Sequence, residues 1–474
     1  MKRTGFFLFV VISYFFILLQ DSTATGTIRK KSAQPGESYR SLTRNGAWCW
    51  FSDPRAVFHE GKKRAVYAGW VNGFGDIVVG SIDLTTMKID TAVLHIKLEA
   101  DDHTNPSILI RHDGRVFVFY SRHSRRGGPL TMRVSARPED VSEWLPERNL
   151  EDLNEGPAFP PGARRDFCYS NPVQLSAENH RIFLFWRGVD FKPCFSISPD
   201  GGETWQPGRI LIMPENTYRE RRPYFKIASN GVDRIHIAFT DGHPRDEPEN
   251  GIRYMCYRNG GFYRADGTRI ADMASLPVRP DRADLVYDAR RTKARSWIWD
   301  VAEDKRGRPV IVYARFPFEN DHRYCYAAWD GAAWRDHEMV PAAPWFPKTP
   351  RGEKESEPHY SGGLVLDHSN PSVVYLSRLV DGVFEIEKWD TKNMGRTWKT
   401  ESITSGSQNN NVRPFAVLHL DSDEGKGLVR GDMDHGPAAP SVLWLNIRRY
   451  THYTDYDASI KMDIPIELDP PAVP

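Results

Sequence analysis

The segment RIFLFWR at residues 181–187 carries the pattern that decides the fold, a basic residue followed by alternating apolar and aromatic residues. Such a run is typical of a buried β-strand. The chain contains seven copies of it: RAVYAGW (64–70), RVFVFYS (115–121), RIFLFWR, RIHIAFT (234–240), RPVIVYA (308–314), SVVYLSR (372–378) and SVLWLNI (441–447). The copies lie about 63 residues apart on average, which is room for four strands and too long for one solenoid turn. The repeat therefore predicts an all-β chain folded as a single seven-bladed β-propeller over residues 25–474.

Two turn motifs support this architecture. SPDGGETW at 198–205 fits the Asp-box pattern S-x-D-x-G-x-x-W, and TKNMGRTW at 391–398 is a degenerate second copy. In such a turn the carboxylate caps backbone N–H groups and glycine takes the left-handed conformation, while the tryptophan covers the blade edge. We therefore expect Asp-box turns with a structural role.

Composition limits the classes of partner. The 474 residues include 63 Lys and Arg against 62 Asp and Glu, so overall charge attracts neither nucleic acid nor anionic membranes. The 36 Gly and 34 Pro favour short strands joined by turns over a helical bundle. We expect a monomer without a nucleic-acid partner.

The N-terminus resembles a secretory signal. Lys2 and Arg3 precede an apolar run at residues 6–19, and small residues follow at 22–24. The alternative, a membrane anchor, needs roughly 20 apolar residues. We expect a signal peptide at 1–24 and a mature protein that is secreted or periplasmic and not membrane-bound. Five dispersed cysteines are too few for a disulfide framework, and their odd number leaves at least one unpaired.

A ring of polar and aromatic residues is predicted at one end of the central channel. Stepping back 12 residues from successive strand copies reaches the start of each innermost strand, at Ser52, His103, Tyr169, Arg222, Ser296 and Tyr360. Basic residues cluster beside these positions: Arg122, Arg125 and Arg126; Arg164 and Arg165; Arg187; and Arg219, Arg221 and Arg222. A solvated charged rim is the alternative, but the combination favours an anionic ligand at the channel mouth.

These segments resemble the BNR-repeat family that includes the ulvan lyases of polysaccharide lyase families 24 and 25 and related rhamnosidases. The resemblance rests on GAWCWFSDPRAVF (46–58), DDHTNPSILIRHDGRVFVFYSRH (101–123), YSNPV (169–173), RRPYFK to TDGHP (221–244), WIWDVAEDKRGRPVIVY (297–313) and HYSGGLVLDHSNPSVVYLSR (359–378). It implies a seven-bladed lyase that cleaves an anionic, ulvan-like polysaccharide of rhamnose and glucuronate or iduronate by β-elimination.

The resemblance also implies the catalytic residues, which by motif are His103, His123, Tyr169 and Arg187. Arg187 would neutralise the uronate carboxylate so that the proton at C5 can leave. We favour His103 as the base and Tyr169 as the acid, although the sequence leaves the reverse open, and His123 as an orienting partner. Tyr224 and Arg222 would line the adjoining subsite. Asn105 and Asn171, each two residues beyond a ring position, are expected to hold loops and not to touch sugar. No cofactor is required for this chemistry.

Other readings stay open. A two-carboxylate glycoside hydrolase lacks a partner for Asp53, the best motif-borne acid, but a histidine-dependent rhamnosidase is an alternative. A sialidase would need three arginines and a Tyr–Glu pair, which these motifs do not present. A non-catalytic carbohydrate-binding propeller is the third reading. The metal content is unknown, with His243 and Cys256 as candidates for a structural divalent cation.

Overall fold

The computed structural model describes residue 1 and residues 33–123, 128–155, 159, 162–214, 222–350, 352–355, 362–420 and 439–466. Outside these residues lie positions 2–24 of the predicted signal peptide, Tyr360, Arg125, Arg126, Arg219 and Arg221. The described strands form seven sheets, which are the seven blades of a β-propeller, so the predicted fold is confirmed.

Each of the first four blades begins with its innermost strand. Blade 1 consists of Ala56–Glu60, Arg64–Val71, Ile77–Asp83 and Ile89–His95, and Leu418–Leu420 pairs with its first strand. Blade 2 consists of Ser107–Ile110, Val116–Ser121, Leu130–Val134 and Arg148–Asn149. Blade 3 consists of Cys168–Leu175, Arg181–Arg187, Pro193–Ser198 and Arg209–Ile210. Blade 4 consists of Phe225–Ser229, Arg234–Thr240, Ile252–Arg258, Gly261–Tyr263 and Arg269–Asp272, and Asp284–Tyr287 pairs with its third strand.

The last three blades complete the ring. Blade 5 consists of Arg295–Glu303, Pro309–Phe318, Asp321–Trp329 and Trp334–Ala343. Blade 6 consists of Gly363–Leu366, Val373–Val380, Val383–Asp390 and Lys399–Ser402. Blade 7 consists of Asn410–Ala416, Val442–His452 and Asp455–Pro465, with the N-terminal strand Tyr39–Thr43 as its outer edge. One strand from the start of the chain thus closes the last blade, which joins the two ends of the propeller.

Helices are few and short. The one α-helix of the described part is Ala289–Thr292, and 3₁₀ turns lie at Gly36–Ser38, Asp102–Thr104, Glu151–Asn154, Ser176–Glu178, Val189–Phe191, Met273–Ser275 and Pro280–Arg282. None of these has the length and hydropathy of a transmembrane segment.

All seven copies of the sequence repeat form the second strand of a blade. Their apolar side chains pack between neighbouring blades, as where Phe183 and Phe185 of blade 3 share a core cluster with Ile235, Ile237 and Phe239 of blade 4. Each such strand is buried on both faces, which explains its unbroken apolar character. The five cysteines are all buried free thiols.

The two predicted turn motifs carry the expected kind of hydrogen bonds. The Asp200 carboxylate accepts from the Thr204 amide at 2.8 Å, and Gly202 has a φ of 101°. In the second copy Asn393 replaces the aspartate and accepts from the Thr397 amide at 2.9 Å. Both turns lie in the hairpin after the third strand of a blade and serve local structure.

Candidate active site

The candidate site lies at the face where the innermost strands begin and the second strands end. Tyr169 is the second residue of the innermost strand of blade 3, and Arg187 ends the neighbouring strand opposite Cys168. His103 lies in the 3₁₀ turn that precedes blade 2, and His123 follows the second strand of that blade. The innermost strands of the blades all start at this face of the propeller, so residues far apart in sequence meet there.

The two histidines form a stacked pair held by one carboxylate. Their rings are 4.2 Å apart and nearly parallel, at 9°. Nδ1 of His103 lies 2.9 Å from Oδ1 of Asp101, and Nδ1 of His123 lies 2.9 Å from Oδ2 of the same carboxylate. Asp102 adds a second carboxylate oxygen 2.9 Å from Nδ1 of His103. Both imidazoles thus turn Nε2 away from Asp101.

The carboxylates give the two histidines different charges. Burial lowers the pKa of His103, but Asp102 and Asp101 outweigh burial and raise that pKa to about 9. Burial also lowers the pKa of His123, and because only Asp101 opposes it while His103 adds positive charge, the pKa falls to about 4. At neutral pH His103 is therefore an imidazolium and His123 a neutral imidazole whose Nδ1–H donates to Asp101.

Arg187 is a buried cation among aromatic rings. Its guanidinium lies 4.4 Å from the ring centre of Tyr169 and 5.5 Å from that of Tyr224, and only 3% of the residue is exposed. It donates to the Tyr224 hydroxyl at 2.9 Å and to the Cys168 sulfur at 3.0 Å. Within the described residues it forms no ion pair. Its positive charge is therefore buried without an opposite charge, and an anionic ligand would neutralise it.

Tyr169 joins the arginine to the histidine pair. Its hydroxyl lies 3.4 Å from Nε2 of His123, on the nitrogen that carries no proton. Burial raises the pKa of Tyr169 well above 10, although Arg187 lowers it, so the phenol is protonated. The backbone of Tyr169 has a φ of 61° where the strand pairing shifts register before Asn171. A non-glycine residue in the left-handed conformation costs of order 1–3 kcal/mol. In this conformation the Tyr169 side chain contacts both Arg187 and His123.

Aromatic rings form the floor beneath these groups. Phe51 lies 5.2 Å from Tyr169, 4.8 Å from Tyr224 and 5.9 Å from Trp297. Trp50 stacks on Trp299 at 4.2 Å below it. These rings give the site an apolar base beside its charged groups.

A buried ion pair supports the histidine side. Asp102 accepts from Arg413 at 2.7 Å and from the Tyr450 hydroxyl at 2.8 Å, and both charged side chains have 0% exposure. Tyr453, in the turn that follows, lies edge-on to His103 at 4.9 Å and to His123 at 5.7 Å. Blade 7 therefore positions residues of blade 2.

The remaining predicted residues occupy different places. Arg222 is at the rim and pairs with Asp246 at 2.5 Å, while Tyr224 lies within the cluster beside Arg187. Asn105 and Asn171 bond to backbone atoms of the loop that carries Phe51, as expected of residues that hold loops. Ser52 and Ser296 are buried.

Three candidates for other functions are accounted for by local contacts. Asp53 forms ion pairs with Arg55, at 2.9 Å, and with Lys226, so it is not a free carboxylic acid. His243 packs on Tyr224 and Trp297 beyond the end of a strand, whereas Cys256 lies opposite His236 near its start. The hairpin thus separates His243 from Cys256, and they do not form one metal site.

Among the described residues one group has ligand atoms spaced as in metal sites. These atoms belong to Asp101, His103 and His123 and lie within 4.8 Å of one another. Both Nδ1 atoms have hydrogen-bond geometry to Asp101, so the carboxylate already accounts for their arrangement.

Sequence reasoning missed the acidic half of the site. Asp101 and Asp102 stand directly before His103, and this adjacency was the available signal. No sequence signal marked Arg413, Tyr450 and Glu355 as site residues. Arg413 and Tyr450 come from blade 7, and Glu355 comes from the segment between blades 5 and 6. The amide of Glu355 donates to the Thr451 carbonyl at 3.1 Å, and burial raises the pKa of its carboxyl to about 7.

Comparison with known proteins gives the family. The model of a BNR repeat-containing family matches residues 65–341, more than half of the chain. The chain belongs to this BNR repeat-containing family. No curated protein sequence matches it.

Among solved structures, it is similar to a polysaccharide lyase of family PL25, an ulvan lyase bound to -[GlcA(1-4)Rha3S]-, with a TM-score of 0.64 and 14% identity over 89% of this chain and 94% of that one. It is also similar to the polysaccharide lyase Uly1, with a TM-score of 0.56 and 10% identity over 90% of this chain and 97% of that one. At these identities the similarity establishes the fold.

Proposed function

We propose that this protein is a polysaccharide lyase that cleaves a uronate-containing, ulvan-like polymer by β-elimination. The observation that carries the proposal is the buried Arg187 guanidinium, which has no acidic partner among the described residues and lies against Tyr169. A uronate carboxylate bound there would bring its C5, the adjacent carbon, to the phenol. Neutralising the carboxylate makes the C5 proton removable, because the enolate-like intermediate gathers charge on the carboxylate oxygens.

The charge states support Tyr169 and His123 as the base. As the Tyr169 oxygen takes the C5 proton, its own proton passes to Nε2 of His123, 3.4 Å away. The imidazolium that forms shares a hydrogen bond with Asp101, which stabilises it. Arg187 lies over the Tyr169 ring and stabilises negative charge that develops on the phenol oxygen.

The same charge states support His103 as the acid. With a pKa of about 9, His103 carries a proton at neutral pH that it can give to the O4 leaving group. This assignment is the reverse of the one favoured from the sequence, and the difference arises from Asp101 and Asp102, whose charges the sequence argument did not include. Each proton transfer is expected to contribute about 10²–10⁴-fold to the rate.

Two observations weigh against the alternatives. A two-carboxylate hydrolase would need a carboxyl group that is available as an acid, but Asp53 forms ion pairs with Arg55 and Lys226. A purely binding propeller would not need two histidines on one carboxylate, one of them protonated and the other neutral. Similarity of fold to polysaccharide lyases supports the enzyme class, and we propose that the protein acts outside the cytoplasm, where its polymer is found.

Incubation with ulvan tests the proposal. We expect near-ultraviolet absorbance to rise as unsaturated uronates form, in step with new reducing ends. Reducing ends without absorbance would mean hydrolysis, and binding without either would mean a lectin-like protein. His103→Gln should be inactive, whereas His95→Gln, on the outer strand of blade 1, is the matched control and should retain activity.

A further inference from the structure

Two phenylalanines project into solvent from the face that carries the site. Phe74 is 71% exposed and Phe318 is 70% exposed, and they are the two aromatic residues among the strongly exposed large apolar residues of the described chain. A phenyl ring exposed to water lacks the hydrophobic stabilisation that burial would bring. Two such rings on one face of the protein indicate a surface that binds a ligand.

Both residues lie at the same position of a blade. Phe74 is in the turn between the second and third strands of blade 1, and Phe318 ends the second strand of blade 5. Arg187, His123 and Tyr453 come from the equivalent ends of blades 3, 2 and 7, so both phenylalanines lie on the site face. With seven blades in the ring, blades 1 and 5 lie across the channel from each other, three steps apart.

Packing connects each phenylalanine to the site. Next to Phe74, the Gly75 carbonyl accepts from the Glu99 amide at 3.3 Å, and the Glu99 carboxylate accepts from the His123 amide at 2.9 Å. Ile96, 73% exposed, precedes Lys97, whose amide donates to Asp76 of the same turn at 2.8 Å. The turn of Phe74 thus contacts the loop that carries His103, and this loop in turn contacts His123.

A second chain of contacts links blade 5 to the arginine. Phe316, two residues before Phe318, packs on Phe346 at 5.2 Å, and Arg295 lies over Phe346 at 5.2 Å. Arg295 donates to the carbonyl of Pro244, the neighbour of His243, which packs on Tyr224 at 5.5 Å. Contacts therefore connect both exposed rings to the site, and blades 2 and 3, which carry His123 and Arg187, lie between blades 1 and 5 in the order of the ring.

We propose that Phe74 and Phe318 are stacking platforms for sugar rings on either side of the cleaved uronate, so that the polymer crosses the channel mouth from blade 1 to blade 5. The apolar C–H face of a pyranose packs on a phenyl ring, and Ile96 widens the platform at Phe74. The proposal rests on the proposed function and adds the path of the chain and internal cleavage of a long polymer. A short substrate that fills only the central subsites would not reach either ring.

Phe74→Ala and Phe318→Ala test this path. Each variant should raise the KM for ulvan about fivefold, with kcat unchanged, which corresponds to the loss of about 1 kcal/mol of binding free energy. The KM for a tetrasaccharide should not change. Val93→Ala, an exposed apolar residue on the outer strand of blade 1, is the matched control and should behave as the unaltered protein.

Binding measured without turnover separates this inference from the proposed function. In a Tyr169→Phe background, affinity electrophoresis through gels containing ulvan should show weaker retardation when Phe74 or Phe318 is replaced. Unchanged retardation and unchanged KM in both variants would overturn the inference while lyase activity stands. Absence of unsaturated product from the unaltered protein would overturn the proposed function instead, and weaker retardation in the variants would still support the path.

Discussion

Replacing Asp101 with Asn tests the charge logic of the site. Asp101 contacts Nδ1 of both histidines at 2.9 Å, and together with Asp102 it holds the pKa of His103 at about 9. A hydrogen bond to a charged group is worth about 1.5–3 kcal/mol, which corresponds to about one to two pH units. Asp102 remains in the variant, so the pKa of His103 should fall by that amount toward its ordinary value.

The sign of the effect on activity follows from the role of His103. An acid must be protonated, so activity is lost as pH rises through its pKa, and the unaltered protein should lose kcat/KM above about pH 9. In Asp101→Asn the alkaline limb should move to roughly pH 7–8. The acid limb should not move upward, because loss of a negative charge lowers the pKa of His123 further below about 4.

The assay is the pH dependence of kcat/KM, followed by near-ultraviolet absorbance on ulvan. Asp90→Asn, an exposed carboxylate on the outer strand of blade 1, is the control and should leave both limbs in place. An alkaline limb that stays near pH 9 in Asp101→Asn would refute the assignment of His103 as the acid.

Four further results are expected. Tyr169→Phe should lower kcat by about 10²–10⁴-fold with an unchanged melting temperature, since it removes a proton path and keeps the ring on Arg187; substantial residual kcat would move the base elsewhere. Asp102→Asn should lower the free energy of unfolding in urea by about 3–5 kcal/mol, because it leaves Arg413 buried without its carboxylate, and a loss below about 1 kcal/mol would contradict this. Glu355→Gln should stabilise the protein against unfolding at pH 8 by up to about 3 kcal/mol and have little effect at pH 5. The pKa of Glu355 is about 7 in the folded protein, above its value in the unfolded chain, so stability is lost as the pH rises above the unfolded pKa. Gln does not titrate and avoids this loss. Dialysis against a chelator should leave the lyase rate unchanged, because the histidine nitrogens contact Asp101, and a loss restored by a divalent cation would show that a metal takes part.

The sequence predicted the propeller well because the repeat is a local signal. Each second strand is buried on both faces, so its apolar character is visible in seven consecutive residues. The closing strand Tyr39–Thr43 had no such signal, since its partners lie more than 400 residues away in Asp455–Pro465. Pairings across that distance are fixed by closure of the ring and not by local pattern.

The site was predicted in part for the same reason. His103 and Tyr169 follow the repeat register, and the structure brings them together with His123, Arg187 and Tyr224. Their protonation states were beyond the sequence, because these depend on Asp101, on burial and on the cations that surround each ring. The left-handed backbone of Tyr169 was also invisible, since nothing in YSNPV marks a positive φ.

The structure of the newly formed non-reducing ends is the most direct test of β-elimination. Nuclear magnetic resonance of oligosaccharides released from ulvan should show the vinyl proton at C4 of an unsaturated uronate at each new end. Saturated uronate or rhamnose at those ends would contradict the role given to Arg187, Tyr169 and the histidine pair.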